Sequence, residues 1–180
     1  QSWEDHGQLW PDLAGFQWTK SGAVVVSDDL SQRPHMLIWS SWCQFKPLWV
    51  SPLFMQVATS TDLRHWSIVP SPLMSKRGLP DYLDNRTFDS YVIESGPPPV
   101  RLSDGNLLFL YNGARECPTG KPDYSRCYAM GWAILDGNDP GRVLARAPAD
   151  TPLIVPTLPW EIGNATNGDQ TPNAVFIDGA

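Results

Sequence analysis

The sequence predicts an all-β fold assembled from repeated four-stranded antiparallel units, the arrangement of a β-propeller. Three observations predict it. A motif returns three times, at Lys20-Ser21-Gly22-Ala23-Val24-Val25, Glu94-Ser95-Gly96-Pro97-Pro98-Pro99-Val100 and Asp169-Gln170-Thr171-Pro172-Asn173-Ala174-Val175, at intervals of 74 and 75 residues. A fixed period of this kind decides architecture before any local assignment does. Between the copies lie short runs rich in β-branched and aromatic residues, bounded by turn formers such as Ser103-Asp104-Gly105-Asn106 and Asp136-Gly137-Asn138-Asp139-Pro140. Proline fills 18 of 180 positions, about twice ordinary usage, and no stretch shows a 3.6-residue apolar period, so helices are expected to be few.

Taken in order, residues 2–10, with Ser2-Trp3-Glu4-Asp5-His6-Gly7, resemble the close of a unit around Trp66 and read as the last strand of one. The first complete unit starts at the motif strand and continues through runs at 35–39, 54–59 and 65–69. The second starts at its own motif copy and continues at 107–111, 128–135 and 142–146. Residues 171–180 open another. The predicted boundaries are therefore the end of a blade at 1–14, blades at 15–75 and 88–156, and the start of a next blade at 169–180. Four antiparallel strands make a blade, and propellers close with about four to eight. Two full blades and two partial ones describe a fragment of a longer protein.

Composition limits the partners. The formal net charge is −6 and the 13 basic residues are scattered, a poor surface for nucleic acid or anionic membranes. No apolar run approaches the ~18 residues of a membrane span, and no signal peptide opens the chain. Nine tryptophans stand out. Most are expected in blade packing, since aromatics dominate buried area; Trp18, Trp42 and Trp49, in loop-like sequence near strand ends, are the candidates for stacking on a sugar. Cys117 and Cys127 bracket a hairpin-like insert and are either a small disulfide loop of a secreted protein or two unpaired thiols. Cys43 is expected to be buried and inert. Asn85-Arg86-Thr87 and Asn164-Ala165-Thr166 fit the glycosylation acceptor pattern, and an extracellular location is favoured.

The recurring motif suggests chemistry. The first strand of a blade is innermost, so Lys20, Glu94 and Asp169 are expected to converge at one mouth of a central channel. Two carboxylates facing a cleft are the minimal equipment for cleaving a glycosidic bond, one donating a proton to the leaving oxygen and the other attacking or activating water. Glu94 is the first choice for the acid, because the prolines after it fix the strand rigidly. Asp169 is either its partner, by register, or a member of the turn at Asn167-Gly168. Asp89 either orients substrate or tunes the acid, or caps a turn. Lys20 either pairs with Glu94, contacts a sugar hydroxyl or binds an anion. Asn112 and Arg115 are placed after the second strand of the middle blade, where loop residues reach the channel. Asp62 reads as a turn cap before Trp66, and His6, His35 and His65 as packing or surface groups. No Ser-His-Asp arrangement, phosphate-cradling glycine loop or metal-ligand cluster is visible, so neither cofactor nor metal is expected.

Several segments together resemble the five-bladed propeller enzymes of glycoside hydrolase family 130, which contains mannoside phosphorylases and hydrolases. They are the 94–100 motif, Asp104-Gly105-Asn106-Leu107-Leu108-Phe109-Leu110-Tyr111-Asn112-Gly113, residues 128–136 with Asp139-Pro140 and Arg146-Ala147-Pro148, and Pro172-Asn173-Ala174-Val175-Phe176. Residues 58–66 are similar to segments of families 43 and 32. The resemblance implies a five-bladed propeller, an oligosaccharide or polysaccharide substrate and, for a phosphorylase, inorganic phosphate as acceptor. It also implies an acidic residue on the inner strand of an early blade, where this chain has Thr19-Lys20-Ser21, and basic phosphate-binding residues of which no full set is found. A glutamate on the inner strand of a middle blade is similar to the acid/base position of families 43 and 32, which favours a hydrolase. The alternative is a non-catalytic propeller, a sugar-binding module or interaction scaffold, in which these acids are only polar lining. Lys20 favours that alternative, whereas Glu94 and Asp169 in register favour the enzyme.

Overall fold

Two antiparallel sheets carry the fold, each a meander whose strands follow one another along the chain. The computed structural model describes residues 18–42, 54–77, 87–117, 126–139, 141–163 and 173–179. The first sheet consists of β1 (Trp18–Val25), β2 (His35–Trp42), β3 (Phe54–Ser60) and β4 (Ser67–Ile68), with the short β5 (Met74–Ser75) pairing further along β3. The second consists of β6 (Val92–Ser95), β8 (Leu107–Glu116), β9 (Arg126–Leu135) and β10 (Val143–Arg146), with β7 (Val100–Arg101) pairing further along β8. A single helical turn, α1 (Pro159–Ile162), follows, tied at its start by Glu161 Oε2, which accepts the Thr157 and Leu158 N–H groups.

Both predicted four-stranded units are present, and three details differ from the sequence reading. The 94–100 motif does not open a strand. Glu94 is the third residue of β6, and the prolines after Gly96, which offer no N–H to a ladder, split the inner strand into β6 and β7. Asn112 and Arg115 lie within β8, which runs on to Glu116 instead of ending at Tyr111. Of the third copy, Ala174 makes a one-residue parallel bridge to Tyr128 and forms no longer strand among the described residues. The expected strand at 2–10, Trp49, Cys43 and the asparagines of both glycosylation triplets lie outside the described residues.

Period-two alternation explains how the sheets meet. In the second sheet the odd-numbered residues Ile93, Leu107, Phe109, Tyr111, Ala129, Ala133 and Leu135 are buried against Met36, Ile38, Met55 and Val57 of the first. Gly131 is required here, because a Cβ would stand 2.4 Å from the Tyr111 ring that lies across it. At the end of the β8–β9 hairpin, Cys117 and Cys127 form a disulfide, Cα atoms 5.2 Å apart, which settles the two alternatives in favour of the closed loop.

Candidate functional site

The edge strand β6 of the second sheet presents its side chains to two different environments. Register fixes which goes where: Glu94 pairs with Asn112, Val92 with Ala114, and Ala114 with Tyr128. Val92, Glu94, Asn112, Ala114 and Tyr128 therefore share the face turned away from the first sheet. Val92, Ala114 and Tyr128 form a small apolar cluster there, joined by Tyr91 and Ala174. Glu94 is only 6% exposed beside it. Burial, followed by the negative charge of Glu94, pushes the Tyr128 phenol above its ordinary pKa, while Arg126 pulls it down. The Arg126 guanidinium stacks 4.5 Å over the Tyr91 ring and donates to its hydroxyl at 3.1 Å, and the Lys76 ammonium stands 6.0 Å from the same ring. Lys76 is buried, and burial lowers its pKa.

Asn112 is engaged by the chain's last described segment. Its Nδ2 donates to the Ile177 carbonyl at 3.1 Å and its Oδ1 accepts the Ile177 N–H at 2.8 Å. The amide is consumed by docking residues 173–179 across the outward face.

Asp89 stands on the other side of the sheet. Its Cβ lies 2.8 Å from where Gly113 would carry one, on the odd-numbered face. Fully buried, it meets the Arg146 guanidinium at 2.5 Å and the Arg77 guanidinium at 3.6 Å, and accepts the Tyr111 hydroxyl at 2.8 Å. Arg146 also donates to the Tyr111 hydroxyl and to the Ser75 carbonyl, and the Arg77 N–H donates to the Asp89 carbonyl. Burial, and then the charge of Asp89, pushes the Tyr111 phenol well above its usual range. The cluster joins β5, β10 and the approach to β6.

Arg115, three residues beyond Asn112 on an unbroken ladder, also faces away from Glu94. With Phe88, Cys127, Ala129, Asp150 and Val155 it lines a cavity of about 340 Å³. Trp18, Lys20 and Trp42 occupy one end of the β1–β2 ladder, where Trp18 pairs with Trp42 and Lys20 with Ser40. Ser40 Oγ accepts the N–H of Ser95, the residue after Glu94, so the backbone at Lys20 is brought close to that at Glu94. Asp169 lies outside the described residues. The structure thus gathers Glu94 and Asn112 on one face and sets Asp89 and Arg115 on the other. Tyr91, Arg126, Tyr128 and Lys76 are the neighbours that sequence reasoning missed; Arg126 and Tyr128 share the even-numbered register with Glu94's partner Asn112, and that parity was the available signal.

A nearly buried carboxylate on an edge strand, with a phenol close by, suits proton exchange with a bound oxygen. No family model matches the chain. In sequence it is similar to a β-1,2-mannobiose phosphorylase of Thermoanaerobacter sp. (strain X514), 35% identical over 96 residues, which cover 53% of this chain and 26% of that protein. A 1,2-β-oligomannan phosphorylase of the same strain is 30% identical over 123 residues, 68% of this chain and 33% of that protein. Among solved structures, a glycosyl hydrolase from Bacteroides ovatus superposes with a TM-score of 0.60 at 27% identity, over 94% of this chain and 43% of that one. The chain is thus similar to mannoside phosphorylases and glycosidases, and spans only about a quarter to a third of the length of these sequence relatives.

Proposed function

We propose that this chain is part of a five-bladed propeller enzyme of glycoside hydrolase family 130 that cleaves glycosidic bonds in mannose-containing oligosaccharides. The observation that carries the reading is Glu94, a carboxylate 6% exposed on an inner strand, in a chain 35% identical to a β-1,2-mannobiose phosphorylase over 96 residues. Glu94 is read as the acid, Asp169 as the second carboxylate, and Lys20, Trp18 and Trp42 as substrate contacts. Asp89 and Asn112 are reassigned to the framework, since Asp89 Oδ2 is engaged by Arg146, Arg77 and Tyr111 and the Asn112 amide by Ile177. The propeller itself is supported by the outward face of the second sheet. There Leu108, Leu110 and Ile134 are half-buried at the even register, an apolar face suited to receiving a further blade as the odd face receives the first sheet.

The test is hydrolysis and phosphorolysis of manno-, arabino- and fructo-oligosaccharides by the full-length protein, with Glu94→Gln alongside. Loss of about 10²- to 10⁴-fold in kcat, with an unchanged melting temperature, is expected for a general acid. Turnover that needs added phosphate would assign a phosphorylase, and turnover in water alone a hydrolase. Sugar binding without turnover in either would replace the enzyme by the sugar-binding module.

A further inference from the structure

We infer that Ser95, bonded across the sheets to Ser40 and Ser21, is a positioning residue for Glu94; the inference rests on the reading of Glu94 as the reacting carboxylate. Ser95 is 1% exposed and Ser40 fully buried. The Ser95 N–H donates to Ser40 Oγ at 2.9 Å, and its hydroxyl donates to the Ser21 carbonyl at 2.5 Å. That carbonyl is free to accept because β1 shifts register between Lys20 and Gly22, leaving Ser21 outside the ladder at φ +46°. A non-glycine residue in the left-handed region persists only where its surroundings hold it there. Ser21 and Ser95 occupy the same place in two copies of the repeat, so the bond ties one inner strand to the next at the level of the motif acids.

The consequence for Glu94 follows from the strand's period of two. Neighbouring side chains on a strand point to opposite faces. Fixing Ser95 toward the first sheet fixes Glu94 toward the outward face, beside Asn112 and Tyr128. The other end of β6 is held by the Asp89 cluster, but four residues of chain separate that anchor from Glu94, whereas Ser95 is its immediate neighbour. Beyond Ser95 the Gly96 N–H donates to the Leu110 carbonyl at 3.2 Å, and the prolines that follow offer no N–H. The serine link therefore adds to the β6–β8 ladder the tie to the first sheet that sets where the carboxylate stands.

The experiment compares Ser95→Ala, Ser95→Thr and Ser40→Ala in the full-length protein with Glu94→Gln, and with Ile38→Val, a core variant two residues along β2 from Ser40 that makes none of the link's hydrogen bonds. Measured are kcat, KM, the pH profile of kcat and the melting temperature. Ser95→Ala should lower kcat about 10- to 100-fold, the scale of a misplacement of roughly 1 Å, with KM changed less than about twofold and the pH profile displaced. Ser95→Thr, which keeps the hydroxyl, should recover most of the loss. Ser40→Ala should follow Ser95→Ala with a smaller effect. Equal kcat in Ser95→Ala and Ile38→Val, with only melting temperatures lowered, would overturn the inference and leave the link a structural tie. Full activity in Glu94→Gln would instead overturn the reading of Glu94 itself.

Discussion

The two faces of the second sheet are made from alternate residues of the same strands, yet they do different work. On the face toward the first sheet, Phe109, Tyr111 and Ile93 are sealed in the core and Asp89 is fully buried beneath the part-exposed Arg77 and Arg146. On the opposite face, Glu94, Asn112 and Tyr128 bring a carboxylate, an amide and a phenol together under a segment held by two amide hydrogen bonds and one bridge. The difference teaches how four residues serve both purposes. Ile93 and Ser95 anchor, Val92 and Glu94 look outward, and a slip of one residue would exchange the two sets. Firmness on one face is what lets the other hold a charged group nearly out of water.

The largest stability effect should come from the anchoring face. Asp89→Ala leaves the part-buried Arg146 and Arg77 guanidinium groups without their shared anion, and breaking a pair with a buried member in this way costs up to about 3–5 kcal/mol. Denaturant unfolding of the full-length variant measures it. A loss under about 1 kcal/mol would mean that water replaces the carboxylate, and the contrast between a sealed and an open face would fall.

The disulfide offers a second, smaller test. Cys117 and Cys127 close the hairpin where the outward row Ala114–Tyr128 and the inward row Arg115–Cys127 lie side by side. Replacing both by serine should cost about 2–4 kcal/mol, chiefly by freeing the unfolded chain. Because both rows end there, the loss should fall on both faces, with the cavity beside Arg115 and the surroundings of Tyr128 loosened together. Amide exchange at Tyr128 and Ala129 would show it, and protection retained at one while lost at the other would sharpen the comparison further.

The strands were legible because alternation of apolar and polar residues is a local signal: every run named from the sequence between 35 and 146 lies on or overlaps an observed strand. What misled was also local. Asn112-Gly113 has the composition of a turn, but in β8 Gly113 is there because Phe88 and Asp89 press within 3 Å of its missing Cβ, and Asn112 because its amide holds Ile177. Likewise the prolines announce rigidity without revealing that they split one strand into two. The partners of Asp89 and Ser95 are 57 and 74 residues away, and only the packing of two sheets brings them together. Glu94 was found through its place in a repeat, whereas Arg126 and Tyr128 belong to no repeat and became visible only through register.

The smallest expected effect belongs to Asn112, and it bears most directly on the outward face. Asn112→Ala removes both hydrogen bonds to Ile177 and leaves that residue's part-buried N–H and carbonyl to find water, a cost of about 0.5–1.5 kcal/mol per bond. Residues 173–179 are held also at Tyr128, through one bridge and the tilted ring contact with Phe176 at 5.7 Å, by the packing of Ala174 in the Val92–Ala114–Tyr128 cluster, and by the Asn173 and Ala174 N–H groups, which donate to the Ile162 and Glu161 carbonyls of α1. The loss should therefore be local: faster amide exchange at Ile177 and greater exposure of Tyr128, with the core opposite unchanged. Since burial is the first cause of the raised Tyr128 phenol and the charge of Glu94 the second, exposure should bring that phenol back toward its ordinary value of 10.0. Titration of Tyr128 by ultraviolet difference absorbance, using Tyr128→Phe to assign the signal, reads this directly. A lowered Tyr128 pKa with Phe109 and Leu107 still protected would establish that the outward face can relax while the anchoring face stays closed; a collapse of both would make them a single cooperative unit.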